Sequence, residues 1–372
     1  MRLARKFYLE IIMRFLKSLA AVFLSMAVTT VMSSEEAIEI DKTATIKDTK
    51  TTIMGINHIG LSVKNLDQAL AFYQQATGFE VIKREKVYAN NHSDTLYAGE
   101  SLEYEVATLK APNMLFELTE FAINKDVRLS DMLAQGPGIT HTCFQSPKSD
   151  SGYAKFVAAG TRLVTPGNGP VDLGGYGVTY AYGYDPEGNM FEMEELDGKI
   201  LERGGYDDAW QELDHSMWMT QVAFATPDIE KLMRFYQDVL GIKPYRKSEI
   251  IKNSKIDRIT NLTDTDVLAG WFKMDGQSKM MEFWQFRTPK TEVFTGKRKA
   301  SDLGYSYSLE VTDIQKEYQR LKSLGVDLIS APQQVGGFWQ MYARDVDGNI
   351  FSLRQVIEAN SNYSIVSFDK PE

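Results

Sequence analysis

Few side chains in this sequence can do more than pack or solvate. The chain holds four histidines, His58, His92, His141 and His215, and one cysteine, Cys143. His58 and His141 each sit in a strand-like run, NHIGLSV from position 57 and GITHTCFQ from position 138. Two glutamates are set among apolar residues, Glu117 in LFELT (115–119) and Glu192 in MFEM (190–193). Imidazoles and carboxylates exchange protons and hold divalent cations. Taken singly, each has a plainer reading. A histidine in a strand is usually a packed or surface residue, and a glutamate in an alternating run can be its solvent side. His92, in the polar loop NNHSD, and His215, in a polar connecting segment, read as solvated. Tyr180, Tyr182 and Tyr184 alternate, which places them on one face of a strand.

Such residues act only where a scaffold gathers them, and the sequence repeats one scaffold. NHIGLSVKNLDQALAFY (57–73) and TQVAFATPDIEKLMRFY (220–236) resemble each other. Each reads as a period-2 strand, a polar cap and a short amphipathic helix with Phe-Tyr on its buried face. Gly78 and Gly241 supply the left-handed exits. Each half divides again. GITHTCFQ and GYSYSLEV (304–311) open further modules, helices follow at about 150–160 and 313–325, and DPEGN (185–189) and DVDGN (345–349) form the tight turns into the closing strands. The pattern is an α+β fold of four strand–helix–three-strand modules, with domains at 54–198 and 217–357. Residues 199–216 form the linker and 358–372 a C-terminal tail.

The start of the chain is different in kind. Arg2, Arg5 and Lys6, then Arg14 and Lys17, precede an apolar run from Leu19 to Val28 and a small-residue exit near Ser33. These are the parts of a signal peptide over residues 1–33, followed by a polar leader over 34–53. The run is too short to span a bilayer comfortably, so no stable membrane anchor is expected. The protein would be exported, to the periplasm in a Gram-negative bacterium and otherwise secreted. Residues 1–33 carry five basic side chains and one acid, so the remainder holds 36 basic against 49 acidic residues. Such a surface repels phosphate backbones, which excludes nucleic acid as a natural partner. One cysteine allows no intrachain disulfide, so the fold rests on its core, or on its core and a metal.

NHIGLSVKNLDQALAFY and the closing strand DPEGNMFEME (185–194) resemble the vicinal oxygen chelate superfamily, the glyoxalase I, bleomycin-resistance and extradiol dioxygenase group. The likeness covers about 300 residues. It implies βαβββ modules paired into two cup-shaped mixed-sheet domains, each cup taking one side chain from the first and last strands of two modules. In the first half those positions are His58, Glu117, His141 and Glu192, a set that suits Zn²⁺, Ni²⁺, Fe²⁺, Mn²⁺ or Co²⁺. In the second half they are Gln221, Glu282, Tyr307 and Ser352, a poor metal set. Neighbouring modules are expected to pair, giving the first set. Crossed pairing, known in some tandem glyoxalases, would instead join Gln221, Glu282, His141 and Glu192.

The resemblance implies an enzyme acting on a small molecule with adjacent oxygens, as a monomer or homodimer. Glutamates at both carboxylate positions favour a glyoxalase-like lyase or isomerase, with Glu192 or Glu117 as the base. The runner-up is an Fe(II) extradiol ring-cleaving dioxygenase, suggested by the spacing of Tyr182 to Glu192, although the upstream histidine of that signature is missing. A non-catalytic binding or resistance protein is a third reading.

Overall fold

The strands form where the alternation predicts them, and the turns between them are set by local polar chemistry. The structure, a computed structural model, describes residues 50–89, 96–97, 100, 102–127, 129–204, 215–274, 279–335, 337–357 and 361–368. The expected signal peptide, most of the leader, and His92 lie outside the described residues. At the leader's end, Thr51 and Thr52 are already anchored, both hydroxyls donating to the Glu317 carboxylate.

Two nine-stranded mixed sheets carry the fold. In the first, β1 (Ile53–Val63) lies parallel to β4 (Leu115–Phe121), and β14 (Gly304–Val311) lies parallel to β18 (Ile350–Val356). The two pairs meet in an antiparallel β1–β14 seam. In the second sheet, β10 (Trp218–Ala225) is parallel to β13 (Met280–Thr288) and β5 (Gly138–Pro147) to β9 (Met190–Leu196), joined by an antiparallel β10–β5 seam. The first sheet therefore takes the first and fourth modules, and the second takes the second and third.

This overturns the expectation that the first module pairs with the second and the third with the fourth, and is the crossed arrangement given as the alternative. Buried polar pairs explain the outcome, because they bridge the observed seams. Asn57 Nδ2 donates to Glu310 at 2.7 Å across β1–β14, and Thr142 Oγ1 donates to the Gln221 carbonyl at 2.7 Å across β5–β10. Separating β1 from the fourth module would take Asn57 Nδ2 away from both Glu310 and the Tyr363 carbonyl, and a buried group left unsatisfied costs about 1–3 kcal/mol.

Neighbouring modules still touch, through their helices. Helix α1 (Leu66–Thr77) is capped by Asn65 and leaves through Gly78 at φ 72°; its counterpart α4 (Ile229–Leu240) is capped by Asp228 and leaves through Gly241 at φ 68°. A glycine pays no steric penalty in that left-handed region. Between them in sequence lie α2 (Gly152–Ala158) and α3 (Gly198–Arg203), the latter starting at the last residue of the expected first domain and running into the expected linker. Phe72 of α1 lies 6.0 Å from Phe156 of α2, and Tyr73 donates to Asp185 in the turn of the second module at 3.1 Å. Tyr236 of α4 repeats the bond to Asp345 at 2.9 Å. The expected tail also packs: Ser364 Oγ and the Ile365 N–H donate to Glu310, and Ile365 and Phe368 are buried. Among the described residues no helix is long and apolar enough to cross a membrane.

Candidate metal centre

The seam of the second sheet brings four polar side chains together from four adjacent strands. His141 comes from β5, Glu192 from β9, Gln221 from β10 and Glu282 from β13, all buried. His141 Nε2 lies 3.7 Å from Glu192 Oε2 and 3.5 Å from Glu282 Oε2. Gln221 Nε2 donates to the same two oxygens, at 2.7 and 3.0 Å. The donor atoms of His141, Glu192 and Glu282 all lie within 4.8 Å of one another.

Surrounding residues fix this arrangement. Thr140 Oγ1 lies 3.0 Å from His141 Nδ1, which turns Nε2 toward the carboxylates. Trp271, on β12 (Asp266–Lys273), donates its indole N–H to Glu282 Oε1 at 2.8 Å. Tyr182, on β8 (Val178–Tyr184), puts its hydroxyl 3.4 Å from His141 Nε2. Burial, then the charges of Glu194 and Glu282, pushes the Glu192 carboxyl well above the usual range. Burial likewise lifts Glu194 to about 7, although Gln145 donates to it at 2.7 Å.

These residues fit a divalent cation. Two buried carboxylates facing one imidazole form an excess of negative charge that only a proton or a cation relieves. Rotating the Gln221 amide by half a turn would present Oε1 in place of Nε2, completing a set of one nitrogen and three oxygens. A cavity of about 150 Å³ opens from the cluster, walled by Tyr180, Tyr182, Trp271, Trp284 and aliphatic side chains.

His58 and Glu117 are not part of this cluster. They face each other in the first sheet, with His58 Nε2 3.3 Å from Glu117 Oε2. The space a cation would need there is taken by Arg354, which donates to both Glu117 oxygens at 2.8 and 3.1 Å. Burial would raise the Glu117 pKa, but Arg354 and His58 outweigh it and hold it near 2. Burial drops His58 to about 3, Glu117 opposing and Arg354 assisting. The expected four-residue set is thus split between the sheets, because its two halves belong to modules that do not share a seam.

Tyr307 and Ser352 complete no metal set either. Tyr307 points into the core, donating to Tyr236 Oη at 2.8 Å. Ser306, not Tyr307, holds the register position of His141: Gly60 pairs with Ser306 as Ala223 pairs with His141. Sequence reasoning did not single out Glu194 or Arg354. They occupy matching places in FEME and FSLR, two residues beyond Glu192 and Ser352. That period-2 spacing on a strand was the available signal.

A model of the Glyoxalase/Bleomycin resistance protein/Dioxygenase superfamily matches residues 55–193 and again 218–353. The chain belongs to that superfamily. Its members are typically metal-dependent enzymes acting on small molecules. Among solved structures, glyoxalase I from Zea mays is 18% identical over 81% of this chain and 92% of its own, with a TM-score of 0.52. A putative dioxygenase from Bacillus subtilis subsp. subtilis str. 168 is 12% identical over 87% of this chain and 92% of its own, also with a TM-score of 0.52. At these identities the likeness establishes the superfamily fold, of α+β class with paired modules. No curated protein matches the chain.

Proposed function

We propose that the chain is a metal-dependent lyase or isomerase of the glyoxalase kind. It would work on a small substrate with adjacent oxygens, at the cluster of His141, Glu192, Gln221 and Glu282. A divalent cation there supplies Lewis acidity, stabilising negative charge on the substrate's oxygens.

The observation that carries this reading is the unequal tethering of two facing carboxylates. Trp271 donates its indole N–H to Glu282 Oε1, a tether that survives when Gln221 turns its oxygen to a cation, whereas among the described residues only Gln221 and the weak S–H of Cys143 donate to Glu192. Glu282 is built to stay in place. Glu192 is free to swing toward the cavity, take a proton from one substrate carbon and return it to the next. In the metal-free fold burial raises its proton affinity, which suits a group that must accept a proton. Glu117, the other base expected from sequence, is locked by Arg354 in the other sheet.

Tyr182 supports a second reading, ring cleavage by an iron(II) site, since its hydroxyl stands beside His141. One histidine in the cluster counts against it, because oxygen-activating iron(II) sites use two histidines and one carboxylate.

Metal analysis of purified protein tests the site. Wild type and His58→Ala should each carry about one ion per chain, and His141→Ala should lose most of it. Metal that survives in His141→Ala but not in His58→Ala would sink the proposal. Turnover of hemithioacetals or 2-oxo compounds with Zn²⁺ or Ni²⁺ supports the lyase/isomerase; oxygen uptake on catechols with Fe²⁺ supports the second reading. We also propose export, from the basic start and apolar run of residues 1–33. Terminal sequencing of the mature protein would check it, and an intact Met1 on cytosolic protein would refute it.

A further inference from the structure

A second cavity, of about 200 Å³, lies away from the metal cluster where the connections into β5 and β14 meet. Polar atoms in its walls find no partner among the described residues. Asn349 is 1% exposed; its Nδ2 donates to Asp345 Oδ2 at 2.8 Å, which fixes the amide so that Oδ1 is left without a hydrogen bond. Ser62, 7% exposed and paired across the seam with side-chain-free Gly304, also leaves its hydroxyl unpartnered. Native structures rarely bury such atoms unless water or a ligand satisfies them.

The same wall holds a fixed cation. Arg298 donates Nη1 to the Asp347 carbonyl at 3.1 Å and Nη2 to the Pro137 carbonyl at 3.0 Å, and its guanidinium stacks 3.9 Å from the Phe294 ring centre. Among the described residues both bonds go to backbone oxygens and no carboxylate forms an ion pair with it, while Asp345, Asp347 and Asp302 act on its charge from farther off. Asp302, also in the wall, accepts the Lys299 N–H at 2.8 Å, and Lys299 is paired with Glu100. Gly138 keeps the space open: a Cβ there, at φ 121°, would lie 2.8 Å from Arg298 Nη2 and 3.4 Å from Asn349 Oδ1. A cation and an acceptor thus flank a position where only glycine fits, and the Ser62 hydroxyl shares the same cavity wall.

We propose that this cavity is a binding site for a small oxyanion carrying its own O–H, such as a hydroxycarboxylate or hydrogen phosphate. The anionic oxygens would meet Arg298 and the Ser62 hydroxyl, and the O–H would donate to Asn349 Oδ1. Thr140 lines the cavity and touches His141 with its hydroxyl, so an occupant sits one residue from the metal cluster.

Calorimetric titration of the metal-loaded protein with glycolate, with inorganic phosphate, and with chloride at matched ionic strength tests the site. Glycolate or phosphate should bind and chloride should not, and which of the two binds names the anion. Arg298→Ala should weaken binding about tenfold or more. Because that change also frees two backbone carbonyls, Ser62→Ala serves as a second variant, with an expected loss of about threefold. Both variants should keep their metal. Equal heats for all three anions, or binding unchanged in both variants, would place the anion elsewhere, at the metal cluster or on the surface, and overturn the proposal.

Discussion

At the scale of single residues, the two sheets answer one problem in opposite ways. Each buries a glutamate at the foot of its cup, and the first neutralises it with Arg354 while the second leaves carboxylates facing each other. Arg354→Met should therefore destabilise the protein by about 3–5 kcal/mol, since Glu117 would stay buried without its partner. Adding Glu117→Gln should recover much of that loss in urea unfolding. The two cups should also respond oppositely to pH. Glu117, held near 2, contributes stability that is present above the ordinary carboxylate range and lost as pH falls toward 2. Glu194, raised to about 7, works the other way in metal-free protein: the fold keeps a proton that the unfolded chain releases, so stability declines as pH rises from about 4.5 through 7. Unfolding of metal-free protein at pH 5 and pH 7.5 should show that decline, and Glu194→Gln should lessen it, leaving the part due to Glu192.

At the scale of elements, helices tie the first module to the second, the third module's Tyr236 reaches the fourth, and strands tie the first to the fourth and the second to the third. Tyr73 to Asp185 and Tyr236 to Asp345 are equivalent ties in separate places. Tyr73→Phe and Tyr236→Phe should each cost about 1–2 kcal/mol, and the double variant close to the sum, measured as a shift in denaturation midpoint. The repeat, the polar caps, the glycine exits and the Asp-to-Asn turns were all legible in the sequence, because each depends on residues close together in the chain. Module pairing was not. Seam strands join through backbone bonds that any sequence can make, and the deciding contacts, such as Asn57 to Glu310, lie 253 residues apart. The candidate site inherited that gap. Each of His141, Glu192, Gln221 and Glu282 was visible as a strand position, but which ones face one cation depends on which edges meet.

For the whole molecule, crossed pairing makes the halves interdependent. A fragment of residues 50–204 would expose the seam edges of both β1 and β5, and one of residues 215–368 those of β10 and β14. Each alone should self-associate or aggregate, and mixing them should yield a soluble one-to-one complex by native mass spectrometry. Only that complex should bind metal with the affinity of the intact chain, because His141 and Gln221 lie on different fragments. Separate halves that stay monomeric and stable would contradict this.

The β1–β14 seam also imposes an order in time. From a ribosome or a translocation pore alike, β1 emerges first among the described strands, and its seam partner begins only at Gly304. Its unpaired edge must wait through most of translation, exposed to every other nascent strand. The second sheet can close earlier, once Thr288 has cleared the exit. The cup that holds the metal cluster would thus mature before the one closed by Arg354, and the oldest strand of the chain would be among the last to find its place.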